Sequence, residues 1–249
     1  MTLKKCKTYS ILGISMISMA LIFSILKVSK LTVSFGIIGL VVGALLSSLS
    51  IGLSLKTIKM ESVLDTQKQI NTRQKNLNFF DWLSFISVST MGILLVFMFV
   101  MIPSDVKQNS MFPTLISGDR VVVYHFLYHP KRNDIAVADM SNYGDSNLYV
   151  KRIFGVPGDR IHFHPINESD FHLYINDQLA ESIAGVTYKM DQQGIDKIQS
   201  QLDEHSRLKD QFYLLLGDNA LGSTDSRKLG AIHERDLIGK IIFIFWRFR

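Results

Sequence analysis

The stretch LYVKRIFGVPGD, residues 148–159, decides how the second half of the chain is read. Residues 148–154 set aliphatic, β-branched and aromatic side chains around a Lys-Arg pair, and GVPGD at 155–159 is a strong turn signal. This is the signature of a short strand leaving through a tight turn. In an alternating strand Lys151 shares a face with Tyr149 and Ile153, which points the lysine inward. Burial penalises an ammonium and lowers a lysine pKa, so a neutral amine becomes available near neutral pH. Such an amine is a general base, and a serine needs a base to act as a nucleophile. Ser110 is a candidate for that hydroxyl. The plainer alternative is an edge-strand lysine facing solvent.

Working outward, further strand candidates lie at 120–126, 134–139, 160–164, 171–175, 212–216 and 237–245. Their spacing of roughly ten residues predicts an antiparallel sheet or partial barrel. The stretch 189–208 is polar with weak helical periodicity. Residues 103–249, about 145 in number, suffice for one small core.

The first half is of another kind. Three runs, 8–26, 31–55 and 82–104, contain no charged residue. Each is close to or above the roughly 20 apolar residues that span a bilayer. The chain has 249 residues with net charge +5. Residues 1–102 hold ten Lys/Arg against three Asp/Glu, leaving 17 basic and 19 acidic groups in the remainder. The basic excess therefore belongs to the apolar half, and the globular half carries no basic surplus to support nucleic-acid binding. Lys4, Lys5 and Lys7 precede the first run, and five basic residues lie in 56–81, against two in 27–30. Cytoplasmic loops carry the basic excess, so the N-terminus and the 56–81 loop are expected inside and 105–249 outside. The first run reads as a retained helix, because no small-residue cleavage pattern follows it. A single cysteine, Cys6, excludes a disulfide scaffold.

Two other stretches carry chemistry: NSMFPTL at 109–115 and LGDNALGSTDSR at 216–227. Seven histidines are present, but none sits in a recognisable nucleophile elbow. His162 and His164 share a strand face without a closely spaced third ligand, and surface histidines explain them better than a metal site. No metal or cofactor is expected.

Together these stretches resemble the boxes of the bacterial type I signal peptidases, or leader peptidases, of the prokaryotic Ser-Lys type. Ser110 to Leu115 with Gly118-Asp119, Lys151 to Asp159, and Gly217 to Arg227 carry the resemblance, which covers about 103–249. The uncharged runs predict three transmembrane helices in 1–104, at about 8–26, 31–55 and 82–104, and the resemblance implies a mainly antiparallel β catalytic domain of the signal-peptidase/LexA-like type in 105–249. A small cap is expected within about 160–216. It implies a multi-pass protein of the bacterial cytoplasmic membrane that cleaves signal peptides from exported preproteins through an acyl-enzyme. Ser110 would be the nucleophile and Lys151 the base, with Ser223 orienting the lysine. Asp218, Asp225, Arg152 and Arg227 would brace the site. The Ser110 N–H would hold the oxyanion, with Gln108 as a second donor. Met111, Leu115, Tyr149 and Val150 are candidate substrate-pocket residues. Near the C-terminus Phe243, Phe245, Trp246 and Phe248 stand beside Arg247 and Arg249, an arrangement fitting either an interfacial belt or a final strand.

One departure stands beside the nucleophile. Where the family runs almost directly from Ile-Pro-Ser into the serine box, five residues separate Ser104 from Ser110, so about four look inserted. The insertion leaves two narrower alternatives: a peptidase dedicated to one secretion, pilus or transfer client, and a non-catalytic peptide-binding homologue.

Overall fold

The computed structural model describes residues 67–247, together with the isolated positions Thr8, Ile11, Leu12, Ser15, Ser18 and Gly52. The apolar runs at 8–26 and 31–55 fall outside the described residues except at those positions. The chain divides into two compact units, Met1–Val100 and Met101–Arg249.

In the first unit, helix α1 spans Gln67–Phe99. Over Gln74–Phe97 it is long and apolar enough to cross a membrane, by length and composition. Phe85, Ile93 and Phe97 are among the large apolar side chains it exposes. The third apolar run was expected to be helical through residue 104. Instead the helix stops at Phe99, and Met101–Asp105 is strand β1. Pro103 explains the break: it lacks an N–H, and its ring pushes Ile102 out of the helical region.

The second unit is mainly antiparallel β. Its strands are β1, β2 (Arg120–Tyr124), β3 (Ile135–Asp139), β4 (Leu148–Gly155), β5 (Ile161–Pro165), β6 (Phe171–Ile175), β7 (Gln178–Leu179), β8 (Lys189–Met190), β9 (Phe212–Leu216), β10 (Ile232–His233) and β11 (Leu237–Trp246). The larger sheet runs β1-β2-β11-β3-β4-β9-β10, and every neighbouring pair is antiparallel. The smaller sheet runs β5-β6-β7, with β8 pairing β6. It lies where a cap was expected, together with helix α2 (Gln192–Gln199). A short helix α3 spans Ser226–Leu229.

Period-2 alternation distributes side chains among three cores. In β9, Leu214 and Leu216 enter a cluster with Ile161, Leu173, Tyr188 and Ile198, which joins the small sheet and α2 to the large sheet. The intervening Tyr213 and Leu215 enter a second cluster with Ala136, Ala138 and Ile153. In β3, Ala136 and Ala138 face that second cluster, whereas Val137 faces a third with Val106, Met111, Leu115, Val121 and Val123. A strand buried on both faces reads as a continuous apolar run, as 135–138 does. Strand β11 crosses the middle of the sheet with register shifts at three places. Bulges of this kind increase local twist. Gly239 sits at such a shift, and a Cβ there would fall 2.4 Å from the Tyr124 carbonyl oxygen.

Tyr188 ties the small sheet to the large one. It is fully buried, and its hydroxyl donates to the Gly217 carbonyl at 2.9 Å. Tyr188→Phe leaves that carbonyl unsatisfied, so urea unfolding of the full-length protein is expected to show a loss of about 1–3 kcal/mol.

Candidate active site

Strand β4 carries Lys151 into the interior. Tyr149, Lys151 and Ile153 share one face, as period 2 requires, and Lys151 stands opposite Ala136 of β3. The lysine is 3% exposed. Its Nζ lies 2.7 Å from Ser110 Oγ and 4.9 Å from the centre of the Tyr149 ring. Burial pulls its pKa down to about 8; Asp225 works against this shift and Arg227 with it. A buried serine hydroxyl in contact with an amine of lowered pKa has the chemistry that a nucleophile and its base require.

Ser110 is fixed through its backbone. Its carbonyl accepts from Asn219 N at 3.0 Å, and the preceding carbonyl, of Asn109, accepts from Asn219 Nδ2 at 3.1 Å. Asn219 therefore holds two successive carbonyls at Ser110. Gly217 makes this approach possible: a Cβ there would fall 2.2 Å from Ser223 Oγ and 2.5 Å from the Ser110 carbonyl oxygen. Asn109 tolerates positive φ better than most residues, yet it is not among the positive-φ residues. Its side chain accepts from Ser117 N at 2.9 Å instead.

The three sequence boxes meet at one carboxylate. Asp218, fully buried, accepts from Arg152 Nε at 2.9 Å and Arg152 Nη2 at 2.7 Å, and the Thr114 hydroxyl donates to the same carboxylate. A second pair lies in the third box. Arg227 Nε and Nη2 each donate to Asp225 at 2.9 Å, and Gly217 N donates to Asp225 at 3.0 Å. Arg227 also stacks over the Tyr188 ring at 5.1 Å. Bidentate, charge-assisted geometry of this sort fixes orientation as well as energy.

The remaining expected residues are placed as follows. Ser223 is buried, but its hydroxyl has no hydrogen-bond partner, so the expected bond to Lys151 is not formed. Gln108, Met111, Tyr149 and Val150 line a cleft of about 430 Å³ that includes Ser110 and Lys151. Leu115 does not line it; it is fully buried in the cluster with Val121 and Val123. Thr114 and Asn219 lie within the Ser110–Leu115 and Gly217–Arg227 boxes, whereas Tyr188 carries no local sequence signal. Position inside a box was the available clue for the first two. Among the described residues no group of His, Cys, Asp or Glu is arranged to hold a metal ion.

Residues 79–246 match the family model described as signal peptidase, peptidase S26. The chain is 30% identical over 180 residues to signal peptidase IB of Staphylococcus aureus, covering 68% of this chain and 90% of that protein. It is 31% identical over 182 residues to signal peptidase I S of Bacillus subtilis, covering 70% and 92%. A solved signal peptidase I from Enterococcus faecalis superposes with a TM-score of 0.32 at 20% identity, covering 46% of this chain and 98% of that one, a likeness too slight to argue from.

Removing one partner of the buried pair isolates a charge. Asp218→Ala is expected to destabilise the protein by about 3–5 kcal/mol, whereas the double change Arg152→Met with Asp218→Leu costs less than the single. Urea unfolding of the variants, compared as a double-mutant cycle, checks both.

Proposed function

The chain belongs to the signal peptidase family, peptidase S26, and is a serine hydrolase of the signal peptidase I kind; on that premise we propose that Ser110 and Lys151 form the reacting pair of a membrane-bound endopeptidase. The observation that carries this reading is the 2.7 Å contact between Lys151 Nζ and Ser110 Oγ in a buried setting. With the amine neutral, the contact reverses and the hydroxyl donates to nitrogen. Oγ attacks the scissile carbonyl carbon while its proton passes to Nζ. The Ser110 N–H holds the oxyanion, and the Gln108 amide, on the rim of the same cleft, serves as the second donor. The tetrahedral intermediate collapses as Lys151 returns the proton to the leaving amine. The signal peptide remains as an ester on Ser110. Lys151 then takes a proton from a water that attacks the ester carbonyl, and passes it to Ser110 Oγ as the ester C–O bond breaks, freeing the signal peptide's carboxylate.

Ser223 takes the lysine's second hydrogen bond in this scheme, and its buried, unpartnered hydroxyl supports the role. Asp218, Asp225, Arg152 and Arg227 brace the pair. Met111, Tyr149 and Val150 form the substrate-facing wall of the cleft. The substrates are preproteins whose apolar signal segments lie in a bilayer. Three membrane spans with the N-terminus inside, and residues 105–249 as the extracytoplasmic catalytic domain, complete the proposal. The basic residues of 1–7 and 56–81 support that orientation.

Ser110→Ala and Lys151→Ala are each expected to abolish cleavage of a model preprotein by the full-length protein while its unfolding transition persists. Full activity in Lys151→Ala would sink the assignment. The neutral amine is the active form, so kcat/KM should rise with pH and level off above about 8. Asp225 holds the lysine's pKa up and Arg227 pulls it down. Asp225→Asn removes the first influence and leaves the second unopposed, so the inflection should move to lower pH.

A further inference from the structure

The cleft is charged unevenly. Its floor is apolar, formed in part by Met111, Val123, Val137 and Ile241. Three charged side chains line it: Asp105, Lys107 and Lys151. Asp105 faces Arg120, its register partner on β2, with Nε 3.4 Å from Oδ1. Lys151 is buried against Ser110. Lys107 is exposed, and no carboxylate among the described residues forms an ion pair with it.

Its backbone is nevertheless fixed. Val106 N donates to the Asp119 carbonyl at 2.9 Å, and Gly118 N donates to the Val106 carbonyl at 2.8 Å. The Ser117 hydroxyl donates to the Lys107 carbonyl at 3.1 Å, and Ser117 N to Asn109 Oδ1 at 2.9 Å. The stretch that looks inserted is thus stapled to the turn at 117–119, and it presents a cation on the cleft rim at a defined place. Ser146 and Asn147, which also line the cleft, are uncharged. Asp145 does not line the cleft; its carboxylate accepts from the Tyr149 hydroxyl at 2.7 Å and from Asn147 N at 3.0 Å.

We infer that Lys107 is a specificity-determining residue, selecting preproteins that carry an Asp or Glu close to the cleavage site. The inference rests on the reading of Ser110 and Lys151 given above. Lys107 precedes the nucleophile by three positions. An extended substrate advances about 3.3 Å per residue, so about three residues on either side of the cut come within reach of the ammonium. Attraction at such an exposed rim is modest and is screened by salt.

The test uses the full-length enzyme and a model preprotein bearing Asp, Asn or Lys in turn at each of those positions. The readout is the ratio of kcat/KM for Asp over Asn, so a general loss of activity in a variant cancels. Wild type should prefer Asp by about three- to fivefold at one or more positions in low salt, and the ratio should approach one in 1 M salt (about 3 Å of screening length). Lys107→Arg should keep the preference, Lys107→Met should lose it, and Lys107→Glu should invert it. Equal ratios in wild type and Lys107→Glu at every position would overturn the inference while leaving the Ser110–Lys151 pair standing. Cleavage by Ser110→Ala as fast as by wild type would overturn the pair, and the inference with it.

Discussion

The buried pairing of Arg152 with Asp218 is the constraint on which the rest of the site depends. Arg152 comes from the strand that carries Lys151, and Asp218 from the loop that carries Asn219. Thr114, on the turn that follows Ser110, donates to the same carboxylate. One fully buried anion therefore sets three separate chain segments in fixed relation. Two buried charges are expensive to desolvate, and only well-formed hydrogen bonds on every side recover that cost. The Arg152 side chain is 14% exposed and that of Asp218 is 0% exposed. Misplacing either charged segment would strand a charge, and misplacing Thr114 would cost the carboxylate a donor, which favours a single arrangement.

Around Lys151 the electrostatics are a balance rather than a single influence. Burial disfavours the ammonium strongly, and Asp225 partly restores it. Arg227 neutralises that carboxylate through two hydrogen bonds and adds its own opposing field. The Asp225–Arg227 pair thus lets a carboxylate serve as a structural acceptor for Gly217 N without holding the lysine fully charged. The result is an amine able to change protonation near pH 8 while remaining in contact with a hydroxyl.

Much of the β fold was legible because period-2 alternation and turn residues are local. The expected strands at 171–175 and 212–216 coincide with β6 and β9, and 120–126, 134–139, 148–154 and 237–245 differ from their strands only at the ends. Strand β1 was missed because its first four residues, 101–104, continue an uncharged run, and only Pro103 hinted that the helix had ended. The short strands β7, β8 and β10 exist through pairing with longer neighbours, which no local pattern encodes. At the site, Ser110 and Lys151 were singled out by their boxes, and the fold brings them into contact. Tyr188 was not, since its importance comes from a hydrogen bond spanning 29 residues of sequence. Leu115, expected in the pocket, packs in the core instead, since a position in the Ser110 box can serve the core as easily as the cleft.

The cleft beside Ser110, at about 430 Å³, has the volume of a small-molecule pocket. That volume is too small for a folded domain, and Asn219 holds the Ser110 and Asn109 carbonyls at its back. With Ser110 as the proposed nucleophile, only a chain extended on both sides of the scissile bond would reach it. The cut therefore reads the folding state of its client as well as its side chains. A mature region that folds right up to the cleavage site before processing would be locked to its signal peptide. On the proposed chemistry, severing would come first and local folding at the new N-terminus second.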